Sequence, residues 1–449
     1  MVSTQTIRLG AGAGYGGDRI EPAVQLARNG ELDYLIFEGL AERTTALAQM
    51  EKLEDTDRGY NSLLEERFHA VLPHCAENGT RIVTNMGAAN VPAAVEKTTQ
   101  IVSELDLELS VAGVVGCDVV DEFDHFEEES FDGESISEYR SSAVSANAYI
   151  GCGRIVDALA KGADIVVTGR VADVSLYLGP LLHEFDWKRD ADHEKYLGQG
   201  IVLGHLMECA GQITGGYFAD PGYKDIDGLD ELGFPIAEAS PSGDVRITKL
   251  PETGGEVSIR TCKEQLLYEI HDPSRYITPD GIADFTGVSF TQEEEDVVTV
   301  TGAVAAPPPE TLKVNIGYVE SYQGEGQISY AGPGAEERAE LAADIVQSRL
   351  ESRDIELREI RIDLIGRDSL HGEIGVDHSE SPYEVRVRVA GKCSTRDEAK
   401  WIGREVQTLY TNGPAGGGGA TMNTSQIVGI VSTTIPRERV APKIIGDST

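Results

Sequence analysis

The chain has 449 residues, enough for two or three domains, and 40% of them are hydrophobic, so it folds into a globule with a full core. Its formal net charge of -38, with 26 Arg against only 12 Lys, excludes nucleic acid and anionic membrane as natural partners. Acidity spread along the whole length and poor in Lys fits a salt-rich cytoplasm, where screening relieves self-repulsion. The first element is "TIRLGAG", an apolar strand that runs into Gly12-Ala13-Gly14-Tyr15-Gly16-Gly17, a match to the dinucleotide pattern G-x-G-x-x-G. Glu38 closes the next apolar run, 21 residues after Gly17, as an acid does in a nicotinamide-binding unit. Pro22 argues against that reading, because a helix starting at the third glycine would carry it in the second turn. A better start is Asp18 as N-cap, with Glu21 as its capping-box partner and Asn29-Gly30 as the stop. The glycines, with Arg19, then form a collar before a positive helix end, which suits an anion.

Further along, "LDYLIFEG", "TRIVTNMG", "LSVAGVVG" and "ADIVVTGR" read as strands, and "VPAAVEKTTQIVSEL" and "GCGRIVDALAKG" as helices between them. Continuous apolar strands alternating with helices predict an α/β fold with a mostly parallel sheet covered by helices. Ligands in such sheets bind beyond the carboxyl ends of the strands. Those ends here carry the glycine collar, Glu38, Asn85 to Asn90, Gly116 to Asp118, and Thr168 to Asp173. The acidic run Asp118 to Arg140 reads as a solvated loop or lid. From Ser240 to Thr301 the text becomes β-like and polar, and "AVAAPPPE" (303–310) reads as a connector. The remainder has the order β-α-β-β-α-β of a ferredoxin-like α+β unit, with "RDSLHGEIGVDHSESP" as its long hairpin. The expected division is 1–305 and 306–449, with a boundary that can fall as late as 376.

Several side chains can carry chemistry. In "GIVLGHLMECAGQITGG", read as one buried helix, His205, Glu208, Cys209 and Gln212 share a face. A buried His-Glu pair is either an acid-base device or a satisfied structural network. Arg170 can clamp a carboxylate or phosphate, or pin its own loop through Asp173. Asn85 and Asn90 can orient a carbonyl, although turn capping is the commoner duty, and Glu38 and Glu42 read as solvated acids in so acidic a chain. His271-Asp272 before Pro273 reads as a turn. The six scattered cysteines form no C-x-x-C pair, and no ligand cluster has metal spacing, so neither disulfides nor a metal are expected. No 18-residue apolar run and no leader-like apolar segment occur, so a soluble, cytoplasmic chain is expected.

The blocks "GAGAGYGGDRIEPAVQLARNGELDYLIFEGLAE", "TNMGAAN", "VVTGRVADVSLYLGPL", "GHLMECAGQITGGYFADPG", "YEIHDPSRYITPD", "GEGQISYAGPGA" and "TNGPAGGGGA" resemble the acyclic terpene utilisation AtuA family from about Thr6 to Met422. The resemblance implies an AtuA domain followed by a ferredoxin-like domain, and a link to the catabolism of branched or unsaturated acids as thioesters. It brings no catalytic residue list. Combined with the residue inventory, the expectation is an enzyme acting on a small or branched carboxylic acid or its CoA thioester by proton abstraction next to a carbonyl, of hydratase, dehydratase or lyase type, assembled as a homo-oligomer. His205, Glu208, Arg170 and Asp173 are its expected catalytic groups. Gly12, Gly14, Gly16, Gly17, Arg19 and Asn85 are its expected ligand-binding groups. The alternatives are a non-catalytic scaffold subunit for an acyl-CoA carboxylase or hydratase, and a nicotinamide-dependent oxidoreductase. The charge itself yields a first prediction. The melting temperature is expected to rise as KCl is taken from about 0.1 M into the molar range, where the Debye length falls to about 3 Å. A flat or falling melting temperature in differential scanning calorimetry would refute it.

Overall fold

The structure, a computed structural model, describes residues 6–353, 355–375 and 381–446. The chain divides into two compact units: one takes the described residues up to Gly317 and again from Ile430, and the other takes Tyr318–Gly429. In chain order the first unit contains β1 (Ile7–Ala13), α1 (Glu21–Asn29), β2 (Tyr34–Phe37), α2 (Glu42–Glu54), α3 (Leu64–Asn78), β3 (Arg81–Thr84), α4 (Val91–Glu104) and β4 (Val111–Val115). It continues through β5 (Ala143–Ala148), α5 (Gly153–Ala160), β6 (Ile165–Thr168), α6 (Asp173–Phe185), α7 (Glu194–Met207), β7 (Pro235–Ala239), β8 (Val245–Lys249) and α8 (Ile259–Leu267). Then come β9 (Tyr276–Ile277), β10 (Ile282–Asp284), β11 (Ser289–Glu294), β12 (Val297–Thr301), β13 (Val304–Ala306) and the start of β14 (Thr311–Ala331).

All five expected strands of the first half form. They make the parallel centre β1-β2-β3-β6-β4 of a ten-stranded sheet. Every residue of β2 and β6 is buried. Successive side chains of a strand point to opposite faces, so both faces of the sheet are covered there. The sheet as a whole is mixed rather than mostly parallel. The polar β text after Phe234 folds into two hairpins, β7-β8 and β11-β12, that add antiparallel to the β1 edge. Short turns are all that antiparallel partners need; Glu295-Asp296, with Asp296 at φ 56°, is one. At the opposite edge β18 (Lys443–Ile445) returns antiparallel to β4. The run 303–310, expected as a connector, supplies β13 to a small sheet, β13-β10-β9.

The second unit takes the rest of β14, then α9 (Ala335–Glu351), β15 (Leu357–Ile365), β16 (Glu384–Cys393), α10 (Arg396–Asn412) and the first part of β17 (Gly418–Pro436). Its strand order is β15-β16-β14-β17, with β16 antiparallel to both β14 and β15. Part of the expected long hairpin, 376–380, lies outside the described residues. Val385, Val387 and Val389 of β16 face Ala339, Ala342 and Val346 of α9 and Ile402 and Val406 of α10 in one core. Among the described residues no helix is long and apolar enough to cross a membrane.

The helix-to-sheet approach is closest at Gly324, where a Cβ would land on the Ala399 carbonyl of α10, 2.7 Å from its carbon. Gly324→Ala therefore forces a backbone apart rather than a flexible side chain. It is expected to cost about 1–3 kcal/mol. Calorimetry should register a melting temperature lower by several degrees, and an unchanged melting temperature would contradict the packing described.

A candidate active-site cleft

The loops that follow β1, β2 and β6 leave the carboxyl ends of parallel strands of one sheet and border one cleft of about 1070 Å³. Gly14, Asp18, Arg19, Glu38, Glu42, Arg170, Asp173, Glu208, Cys209, Gln212 and His271 all line it. Glu38 follows the last residue of β2, and the residue is only 6% exposed. Its Oε1 accepts from the Leu40 amide (2.7 Å) and from Asn85 Nδ2 (2.9 Å), while Asn85 Oδ1 accepts from the Gly39 amide (2.7 Å). Asn85 lies wholly buried beneath Glu38 and does not reach the cleft. Burial first, and then the neighbouring Asp173 charge, push the Glu38 carboxyl well above its ordinary range.

Asp173 is the first residue of α6, where a carboxylate is favoured by the helix dipole. It pairs with Arg170 and also hydrogen-bonds to Glu38. Burial raises its pKa against the opposing pull of Arg170. Both carboxyls are thus pushed toward the protonated form, and Glu38, the more deeply buried of the two, further than Asp173. Arg170 is 1% exposed. Its guanidinium donates to the carbonyls of Val171 (2.9 and 2.5 Å) and Leu40 (2.8 Å) as well as to Asp173, and lies 4.5 Å from the centre of the Tyr149 ring. Burial disfavours its charge, but Asp173 beside it offsets that and holds the group ionised. With its donors so committed, Arg170 presents no open fork to a substrate; it positions Asp173.

The segment expected as one continuous helix is two. α7 ends at Met207, Glu208 follows as its C-cap, and Ala210 at φ 42° turns the chain into a short 3-10 turn, Ala210–Gln212. The polar stripe is consequently broken, yet its main pair survives. His205 Nδ1 lies 3.1 Å from Glu208 Oε1, and His205 Nε2 lies 3.2 Å from the Leu266 carbonyl. Only an N–H can meet a carbonyl, so Nε2 carries a proton and Nδ1 faces Glu208. The imidazole packs against Tyr276 and Phe285, ring centres 5.2 and 5.8 Å away, and is itself 2% exposed and set behind Glu208. Glu208 Oε2 is buried without a hydrogen-bond partner. Burial pushes the Glu208 pKa up to about 6, while His205 pulls it down. Burial and Glu208 together raise the Cys209 thiol, which removes it as a nucleophile.

The glycine collar is organised differently from the sequence expectation. α1 starts at Glu21 behind Ile20, and Asp18 does not cap it. Asp18 instead turns its carboxylate back into the loop, where the Gly14 and Arg19 amides donate to it at 2.8 Å each. The anion that this collar holds is its own. Fully buried Arg67 closes the loop from below, donating to the carbonyls of Asp18 (3.0 Å) and Tyr15 (3.4 Å). A Cβ at Gly14 would sit 2.6 Å from the Cys209 carbonyl oxygen, so that glycine lets the collar approach the Glu208 turn. Gly12 is pressed under the Phe37 ring, Gly16 against Asn61 and the Gly39 carbonyl, and Gly17 against the Tyr15 ring; none of the three lines the cleft. Arg19 does line it, tied to the Asp230 carbonyl at 3.1 Å. Asn90 anchors its loop to the carbonyls of Thr56 and Arg58, and Asp272 closes its own turn with Ser274.

Residues not singled out in the sequence complete the walls: Tyr149, Lys313 and Glu269, and an apolar flank of Tyr217, Leu229, Leu232, Phe234 and Tyr268. Only Tyr217 had a local signal, in the glycine pair that precedes it. Among the described residues no group of three or more His, Cys, Asp or Glu is arranged to hold a metal ion.

An α/β protein with a carboxyl-lined cleft at the ends of its parallel strands is the frame within which the comparisons fall. Residues 7–445 match the family model described as acyclic terpene utilisation family protein AtuA. The chain belongs to that family, and membership implies a role in acyclic terpene utilisation. No curated protein and no solved structure matches it.

The Glu208–His205 contact has a testable sign. The imidazole lowers the Glu208 pKa, so His205→Asn is expected to move it upward from about 6. Carbon-13 NMR of the labelled Glu208 carboxyl, followed against pH, reads this directly. A downward or absent shift would mean that the imidazole does not act on Glu208.

Proposed function

We propose that this cleft is the active site of an enzyme that moves a proton next to the carbonyl of a small or branched carboxylic acid or its CoA thioester, in hydratase, dehydratase or lyase chemistry. The observation that carries the reading is the presence of three carboxyl groups with raised pKa, Glu38, Asp173 and Glu208, on one cleft wall. Proton transfer at neutral pH needs an acid and a base whose pKa values lie far apart, and environment is what separates them. Glu38, neutral, turns its single O–H from Asp173 to the substrate carbonyl when the substrate binds, leaving Asp173 to Arg170, and stabilises the oxyanion that forms as the neighbouring proton leaves. Glu208, ionised above about pH 6, takes that proton, with His205 holding it in place. Asp173 and Arg170 fix the proton on Glu38. Arg19, Arg43 and Lys313 around the same cleft supply positive charge for the acid or for the phosphates of its carrier. The nicotinamide alternative loses support, since Asp18 already occupies the collar amides that a pyrophosphate would need. We also read Tyr318–Gly429 as ferredoxin-like; its strand order, 2-3-1-4 in chain terms, supports that topology.

The experiment is isotope exchange. Purified protein is incubated in D2O with saturated and 2-enoyl CoA thioesters and their free acids, and deuterium next to the carbonyl is followed by mass spectrometry. The wild type is expected to exchange, and Glu208→Gln to slow exchange by about a hundredfold or more with folding intact. Glu38→Gln, whose amide still donates, is expected to lose less than Glu38→Ala. Exchange that is absent with every substrate, or indifferent to both glutamates, would overturn the proposal.

A further inference from the structure

We propose that a second, smaller cavity beside the cleft receives the alkyl chain of the acyl substrate and limits its length to about seven carbons. The inference rests on the acyl reading of the cleft and adds where the chain goes. The cavity measures about 210 Å³ and shares three lining residues with the cleft, Tyr149, Asp173 and Lys313. The two spaces thus abut where the carboxyl pair sits. A carbonyl placed against Glu38 and Asp173 has the open cleft on one side, wide enough for a carrier, and the small cavity on the other.

The small cavity is more apolar than polar. Ala172, Val174, Ile277, Pro279, Pro309 and Leu312 are half of the residues that line it. Its polar neighbours already have partners. Thr278 Oγ1 donates to the Gly281 carbonyl (2.8 Å), Lys313 Nζ donates to Glu42 (2.6 Å), and the Asp173 carboxylate is taken by Arg170 and Glu38. A polar headgroup would therefore find few free donors or acceptors there, whereas a hydrocarbon leaves none of those bonds broken. Tyr149, whose ring lies under both Arg170 (4.5 Å) and Lys313 (5.2 Å), lines both spaces where they meet. Size sets the limit. A methylene needs about the 30 Å³ that a water occupies in the liquid, which gives room for about seven carbons. Ile277, 54% exposed, stands at the solvent side and is the position from which the cavity can be filled without disturbing the core.

The test is calorimetric titration of the full-length protein with straight-chain acyl-CoA thioesters of two to twelve carbons. Each added methylene is expected to tighten binding about fourfold up to an acyl length of about eight carbons, the carbonyl carbon lying outside the cavity, after which affinity levels off. Ile277→Trp is expected to narrow the ratio between the seven-carbon and two-carbon thioesters at least tenfold. If two-carbon and longer thioesters bind equally well, the cavity takes no alkyl chain, although the acyl reading of the cleft stands. If the wild type binds neither thioesters nor free acids of any length, the acyl reading itself falls, and this inference with it. A ratio unaltered in a folded Ile277→Trp also overturns the assignment, and if that variant does not fold, the wild-type series decides alone.

Discussion

The site is arranged around one buried positive charge. Arg170 has almost no access to water, and a guanidinium in that position is tolerated only when its donors and its charge are both met. The first demand draws in the carbonyls of Leu40 and Val171, which belong to the loops after β2 and β6. The second draws in Asp173 at the start of α6, and the Tyr149 ring after β5 covers the guanidinium plane. One arginine thus fastens the loops of three strands together. It also fixes the ionisation of the wall: a single cation balances a single carboxylate, and Glu38, the second acid within reach, stays protonated because two adjacent negative charges against one positive charge are disfavoured.

Much of the fold was legible because the parallel strands are buried on both faces and read as continuous apolar runs. "DYLIFEG" and "ADIVVTGR" need no long-range information to be recognised. The antiparallel flank was not, since half-exposed strands such as Ser289–Glu294, "SFTQEE", look like solvated text in an acidic chain. The same acidity hid Glu38. Nothing local separates it from the many solvated acids of this sequence; what sets it apart is Asn85, 47 residues away, and Asp173. Asp18 failed differently. Its spacing to Glu21 is that of a capping box, but the collar amides compete for the same carboxylate and win, because they are flanked by glycines free to curl around it.

The His205–Glu208 pair was visible as a polar interruption of an apolar helix, and its purpose depends on where the helix stops. Had α7 continued, both side chains would lie on one buried face and would be simplest as a structural bridge. The stop at Met207 leaves His205 within the packed helix, against two aromatic rings, while Glu208 moves to the cleft wall. A fixed imidazole behind a mobile-proton carboxyl is an arrangement in which the outer group meets the ligand and the inner one sets its basicity.

The two carboxyl systems then differ in kind. Glu38 is surrounded by groups that keep its proton on: burial, and a neighbouring carboxylate that Arg170 holds in place. Glu208 is buried too, but an imidazole opposes the effect and leaves its pKa near 6, within reach of neutral pH. Equal treatment of the two by burial alone would have made both of them acids and left no base. The asymmetry comes from their neighbours, an aspartate for one and a histidine for the other, and the small gap between the collar and the Glu208 turn, which Gly14 makes possible, brings both systems to the same cleft. A reaction that needs a donor at a carbonyl oxygen and an acceptor at the adjacent carbon requires that asymmetry before it requires any particular substrate.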